Sequence, residues 1–229
     1  MANRTKSGFS IVQAKKFNPK YLLFAVLLSC GMFLGLGFLN NFFISALEKL
    51  GLSVGGVDIP LESAGDLILF IFLLAVLPAV FEEIFFRGVM VSALKNTGTI
   101  FTIVGVACCF ALYHCSAAQL LYQAIYGVGL TLLVISSGSI IPCMLAHFLN
   151  NFAVLVLTYF NVEVNFYHPA VIVLGLVLLG VFFFTQILGL KKLGVNKKER
   201  GSVASFWLPF GIFGCLICAA VIIGGLFAV

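Results

Sequence analysis

Apolar runs long enough to cross a bilayer follow one another along almost the whole chain. A spanning helix needs about 20 predominantly apolar residues, and such runs stand at roughly 21 to 45, 67 to 92, 100 to 117, 119 to 136, 139 to 160, 170 to 190 and 204 to 228. In hydrocarbon every backbone N–H and C=O must find its partner inside the protein, which leaves only helices and closed barrels. These runs are too long and too continuously apolar for barrel strands. Residues are 62% hydrophobic and 9% charged, where a soluble domain carries about a quarter charged. The expected fold is therefore all-α, a polytopic membrane bundle of about seven transmembrane helices. A basic arm over residues 1 to 20 precedes one transmembrane domain, 21 to 229, with no internal repeat and no loop large enough for a second domain.

Basic residues set the expected orientation, because cytoplasmic loops carry the Lys/Arg excess. Arg4, Lys6, Lys15, Lys16 and Lys20 crowd the arm, and Lys191, Lys192, Lys197, Lys198 and Arg200 crowd the stretch KKLGVNKKER. The loop from 46 to 66 sets Lys49 against Glu48, Asp58, Glu62 and Asp66, and the loop from 161 to 169 has Glu163 and no Lys or Arg. Seven spans satisfy all four with the N-terminus cytoplasmic and the C-terminus outside. The net charge of +5 then reports topology and contact with anionic lipid heads, and gives no ground for nucleic-acid binding. The first apolar stretch is longer than the apolar region of a signal peptide and is followed by no clear small-residue cleavage site, so it is expected to be retained. All seven cysteines lie in or beside predicted spans, which argues against a disulfide framework. Cys215 and Cys218 read as small packing residues one turn apart, and Gly31, Gly35, Gly37, Gly211 and Gly214 as points of close helix contact.

A charge at mid-bilayer is expensive, so ionisable residues inside spans are functional suspects. They are Glu82, Glu83, Arg87, His114 and His147, with Asn150 and Asn151 as neutral company. Glu83 and Arg87 are four apart with the acid first, the favourable order for a same-face ion pair. Glu82 lies about 100° around the helix and has no local partner, which makes it the candidate for chemistry. His147 and Asn151 share a helix face, and Phe110 sits one turn before His114. At about 1.5 Å per residue, Glu82 lies roughly 20 Å from Lys95, His114 about 24 Å from Gly98, and His147 and Asn151 about 14 and 20 Å from Gly138. Three helices thus bring acid, imidazole and amide to similar depth, as a site inside a bundle requires. Cys115 follows His114 directly, but neighbouring helix positions point about 100° apart, which disfavours a Cys–His nucleophile. His168 reads as solvated, Lys20 and Tyr21 as interfacial anchors, Pro78 as a kink one turn before Glu82, and Gln119, Tyr122, Gln123 and Tyr126 as candidate groove residues.

The ordered set EExxxR at 82 to 87, FxxxH at 110 to 114 and HxxxN at 147 to 151 resembles the CPBP family, which comprises the CAAX prenyl proteases and the bacteriocin-processing enzymes often called Abi proteins. The segment YGVGLTLLVISSGSIIPCMLAHFLNN, residues 126 to 151, is similar to the family's small-residue helix, Gly-Ser turn and Pro before the second histidine. The resemblance covers about residues 67 to 155. It implies an intramembrane endopeptidase hydrolysing a peptide bond in a lipidated or hydrophobic peptide, in which Glu82 is the catalytic glutamate and His114 its partner in activating water. His147 and Asn151 would polarise the scissile carbonyl and hold the oxyanion, with Glu83 and Arg87 as supports.

Chemistry gives independent reasons for these types. Hydrolysis needs a base that takes a proton from water and returns it to the leaving amine, and donors aimed at the developing oxyanion. The preferred scheme requires no cofactor. Glu82, His114 and His147 also make a three-ligand set of the catalytic zinc kind, and the resemblance leaves Zn2+ or another divalent metal open. The implied partners are membrane lipids and a peptide or protein substrate, prenylated or a propeptide; the implied location is a bacterial plasma membrane. Two alternatives compete: a non-enzymatic membrane immunity or scaffold protein that binds a bacteriocin or membrane partner, and a small transporter. The second would show related halves or interrupted helices in corresponding positions, and neither is found.

Overall fold

In a computed structural model of the chain, which describes residues 16–52, 54, 59–94, 97–192 and 220, the buried positions of the first helix form a stripe. Along α1 (Lys20–Lys49) Ala25, Leu28, Ser29, Met32, Gly35 and Leu36 recur every three or four residues and are buried, the spacing of one helix face. The element order continues with α2 (Ala64–Leu94), α3 (Thr99–Tyr113), α4 (Ala117–Ser137), α5 (Ile141–Tyr159) and α6 (Pro169–Lys192). There is no strand among the described residues. Helices α1, α2, α4, α5 and α6 are each long and apolar enough to cross a membrane, in keeping with five of the expected spans.

The run expected at 100 to 117 folds as the shorter α3. Its last residue is followed by His114 as the cap, then Cys115 at φ 47° and Ser116 in extended conformation, so the chain reverses before the apolar run ends. The run at 204 to 228 lies outside the described residues except residue 220, as do residues 1 to 15, the basic stretch beyond Lys192, and Gly211, Gly214, Cys215 and Cys218.

Local chemistry accounts for the helix ends. Ser63 and Asp66 form a capping box at the start of α2: the Ser63 hydroxyl accepts from the Asp66 N–H at 3.2 Å and the Asp66 carboxylate accepts from the Ser63 N–H at 2.8 Å. Gly138 closes α4 at φ 69°, donating its N–H to the Val134 carbonyl, and Pro142 lies in the first turn of α5. Helix α2 is irregular inside. Wide turns over Ile71–Val76 and Ile84–Met90 flank a regular segment, Leu77–Glu83, that carries Pro78 and both acids.

Helix α4 touches every other helix and α5 touches α1, α2 and α4, while α6 lies along α1 and α3 along α4. Leu28, Met32, Phe86, Phe110, Tyr126, Leu130, Cys143, Ala146 and Phe182 form the core between them. Helix α2 lies at the edge, with Ile68, Phe72, Phe81 and Phe85 at least half exposed. Gly31, Gly35 and Gly37 are contact points as expected: a Cβ on Gly35 would sit 2.7 Å from the carbonyl carbon of Gly175 on α6, and one on Gly37 would strike the Phe166 ring. Gly105 faces open space. Gly35→Val is expected to destabilise the bundle by about 1–3 kcal/mol through overpacking, and Gly105→Ala to leave it unchanged or slightly more stable, both read by denaturation of the purified protein in detergent.

Candidate functional site

The second wide turn of α2 and the first half of α5 meet at a fully buried carboxylate. Glu83 and Arg87 have no exposed side-chain surface, and Arg87 Nη1 donates to Glu83 Oε1 at 2.7 Å, the expected pair four residues apart. The same oxygen also accepts from His147 Nδ1 at 2.9 Å. That second contact joins two helices and was not expected from the sequence. Because a carboxylate beside a guanidinium accepts, Nδ1 of His147 carries the hydrogen and Nε2 is turned to the other side of the ring. There it lies 4.0 Å from Glu82 Oε2.

Glu82 is the acid left over. Its side chain keeps 17% exposure against none for Glu83, and Oε2 is buried without a hydrogen-bond partner. Glu83 pairs with Arg87 as the spacing predicts, and the group standing by Glu82 is His147 of another helix, 4.0 Å away.

Phe110 is the floor. Its ring lies 4.2 Å below the Arg87 Cζ, 4.8 Å from the His114 ring and 5.8 Å from the His147 ring, centroid to centroid for the rings. Arg87 Nε and Nη2 have no hydrogen-bond partner, so the ring face supplies the attraction that those donors lack. Phe110 also provides the carbonyl that orients His114, whose Nδ1 lies 2.8 Å away. A carbonyl only accepts, so Nδ1 is the protonated nitrogen and Nε2 of neutral His114 holds its lone pair. Helix α2, the end of α3 and α5 therefore bring Arg87, His114 and His147 around one aromatic ring, with Glu83 and Glu82 on the two nitrogens of His147.

Asn151 sits one turn further along α5. Residues 74 and 83 of α2 meet residues 151 and 147 of α5 in reversed order, so the two helices run antiparallel here. Its Nδ2 donates to the Leu74 carbonyl at 2.9 Å and its Oδ1 accepts from Asn150 at 3.3 Å. Asn150 in turn accepts from the Tyr122 hydroxyl at 2.5 Å. Of the candidate groove residues, Gln123 and Tyr126 are buried and Gln119 is exposed. Tyr126 packs its ring 6.4 Å from that of His147. Tyr21, expected as an anchor, bonds the Ser136 carbonyl at 2.6 Å; His168 is exposed, as expected.

Among the described residues no three His, Cys, Asp or Glu side chains are gathered at the spacing of a metal site. Glu82, His114 and His147 would have to converge further to act as such a set. The 410 Å³ cavity lined by Phe33, Leu157, Val162, Glu163 and Phe166 lies at the far end of α5 from this cluster.

Residues 64–153 match the family described as Type II CAAX prenyl endopeptidase Rce1-like, and the resemblance read from the three motifs holds over this stretch. No curated protein and no solved structure matches the chain. The described chain has five helices long and apolar enough to cross a membrane, three of which, α2, α4 and α5, lie within or overlap the matched stretch, as expected of an integral membrane protein.

Removing one member of the buried pair leaves the other charge uncompensated. Arg87→Met is expected to cost about 3–5 kcal/mol, and adding Glu83→Gln to recover a large part of it. Thermal unfolding of the single and double variants in detergent measures both.

Proposed function

We propose, from the Rce1-like character of residues 64–153, that the protein is an intramembrane endopeptidase that hydrolyses a peptide bond in a lipidated or hydrophobic peptide. The observation that carries this reading is the isolated Oε2 of Glu82, unpartnered and 4.0 Å from His147 Nε2, beside a pair that neutralises itself. Glu82 takes a proton from water as the oxygen attacks the scissile carbonyl, and the proton passes to the departing amine as the C–N bond breaks. His114, its Nδ1–H held on the Phe110 carbonyl, offers Nε2 to the same water. His147 keeps Nδ1–H on Glu83, so when it carries a second proton Nε2–H is the group that donates to the oxyanion. Asn151 contributes the N–H not given to Leu74.

The substrate side follows from the position of α2. Phe81 and Phe85 flank Glu82 on the exposed face of an edge helix, at 64% and 50% exposure, so an apolar chain reaches the acid without first crossing the bundle core. A prenylated or otherwise hydrophobic C-terminal segment fits that approach, in a plasma membrane with the basic arm on the cytoplasmic face.

The test is cleavage of a panel of prenylated and unlipidated peptides by purified protein, with metal content determined on the same preparation. Glu82→Gln and His114→Ala are each expected to lower kcat by about 10²–10⁴, the usual worth of a general acid–base group, with the fold intact by thermal unfolding. Wild-type rates in Glu82→Gln would remove Glu82 from the mechanism. Stoichiometric zinc lost with Glu82→Gln would replace glutamate-activated water by a metal-bound one.

A further inference from the structure

We infer that Pro78 is a positioning residue for Asn151, an inference that rests on reading Asn151 as an oxyanion donor. In a regular helix the Leu74 carbonyl would accept the N–H of residue 78, and proline has none to give. The wide turn before it supplies no replacement from residue 77, because the Leu77 N–H is given to the Phe72 carbonyl five residues back. A helix carbonyl without a partner is costly inside a bilayer. Here a side-chain partner comes from another helix: Asn151 Nδ2 reaches Leu74 O at 2.9 Å.

The contact fixes more than a distance. Since the carbonyl only accepts, it dictates which end of the amide faces α2. The other end, Oδ1, is met by Asn150 Nδ2 at 3.3 Å, and Asn150 Oδ1 by the Tyr122 hydroxyl at 2.5 Å. All three bonds donate in the same sense, from α4 through α5 to the interrupted turn of α2. Asn151 is held at both ends of its amide and keeps one N–H uncommitted, its direction set by the N–H spent on Leu74. Pro78→Ala returns an N–H to that part of α2, offers Leu74 a partner within its own helix, and releases Asn151.

Two cycles test this on the full chain in detergent. In the first, melting temperatures are compared for wild type, Pro78→Ala, Asn151→Ala and the double variant. Asn151→Ala is expected to lower the melting temperature by several degrees in wild type, where it takes the side-chain partner from the Leu74 carbonyl, and by much less beside Pro78→Ala. Equal drops in both backgrounds overturn the inference and leave the oxyanion reading standing. In the second, cleavage of a prenylated peptide is followed in the same four proteins. Pro78→Ala is expected to lower kcat by roughly 10-fold, part of what a lost oxyanion donor costs, with KM unchanged, and to do nothing further in Asn151→Ala. A loss of the same factor in both backgrounds means a general distortion of α2 and overturns the inference. Asn151→Ala cleaving like wild type overturns the oxyanion reading and the catalytic half of the inference together, while the melting cycle still decides the linkage. Should Pro78→Ala fail to fold, Tyr122→Phe reads the same chain from its other end, with kcat lost in wild type and unchanged in Asn151→Ala.

Discussion

One carboxylate oxygen, Glu83 Oε1, ties the structure of the site together. It accepts from Arg87 within its own helix and from His147 on α5, with no exposed surface on Glu83 or Arg87. A charged group in this position is tolerable only if paired with good geometry. That requirement couples the register of α2 to that of α5. Once it is met, Glu82 falls beside Nε2 of the same histidine, and the tautomer of that histidine is decided.

Phe110 does by shape and quadrupole what another acid would do by charge. Arg87 has two nitrogen groups without acceptors, and the aromatic face at 4.2 Å is worth on the order of 2 kcal/mol where water is excluded. A third carboxylate would satisfy those donors as well, but it would add a second uncompensated charge next to Glu82. The aromatic solution keeps Glu82 as the one carboxylate of the cluster with no cation bonded to it.

How much of this the sequence discloses depends on how local each feature is. The Glu83–Arg87 pair and the isolation of Glu82 follow from helix geometry over six residues, and both were legible. Spacing within α5 put His147 and Asn151 on one face, and the three motifs pointed to the stretch that the family match covers, 64–153 against an expected 67 to 155. The link from Glu83 to His147 spans 64 residues and leaves no periodic trace. Hydropathy placed the break between the third and fourth runs at 117 to 119, a few residues late, because the small and apolar residues around Cys115 extend the apolar run past the point where the backbone turns. Pro78 announced one irregularity in α2; the wide turn over Ile84–Met90 has no proline to announce it. Tyr122, Gln123 and Tyr126 looked like groove residues because side chains on a span give no sign of whether they face lipid or a neighbouring helix. The structure buries Gln123 and Tyr126 and spends the hydroxyl of Tyr122 on Asn150.

The crossing of α1 and α6 carries a lesson about epistasis. At Gly129 an added methyl would meet the Leu28 side chain at 2.6 Å, and a smaller residue at 28 could make room, so the pair has a reciprocal solution. At Gly35 the obstacle is the backbone of Gly175 itself. Neither partner has a side-chain atom to surrender. Enlargement at either glycine therefore has no compensating substitution across the crossing, and sequence drift at this pair is closed in a direction that remains open at the contact of Gly129 with Leu28.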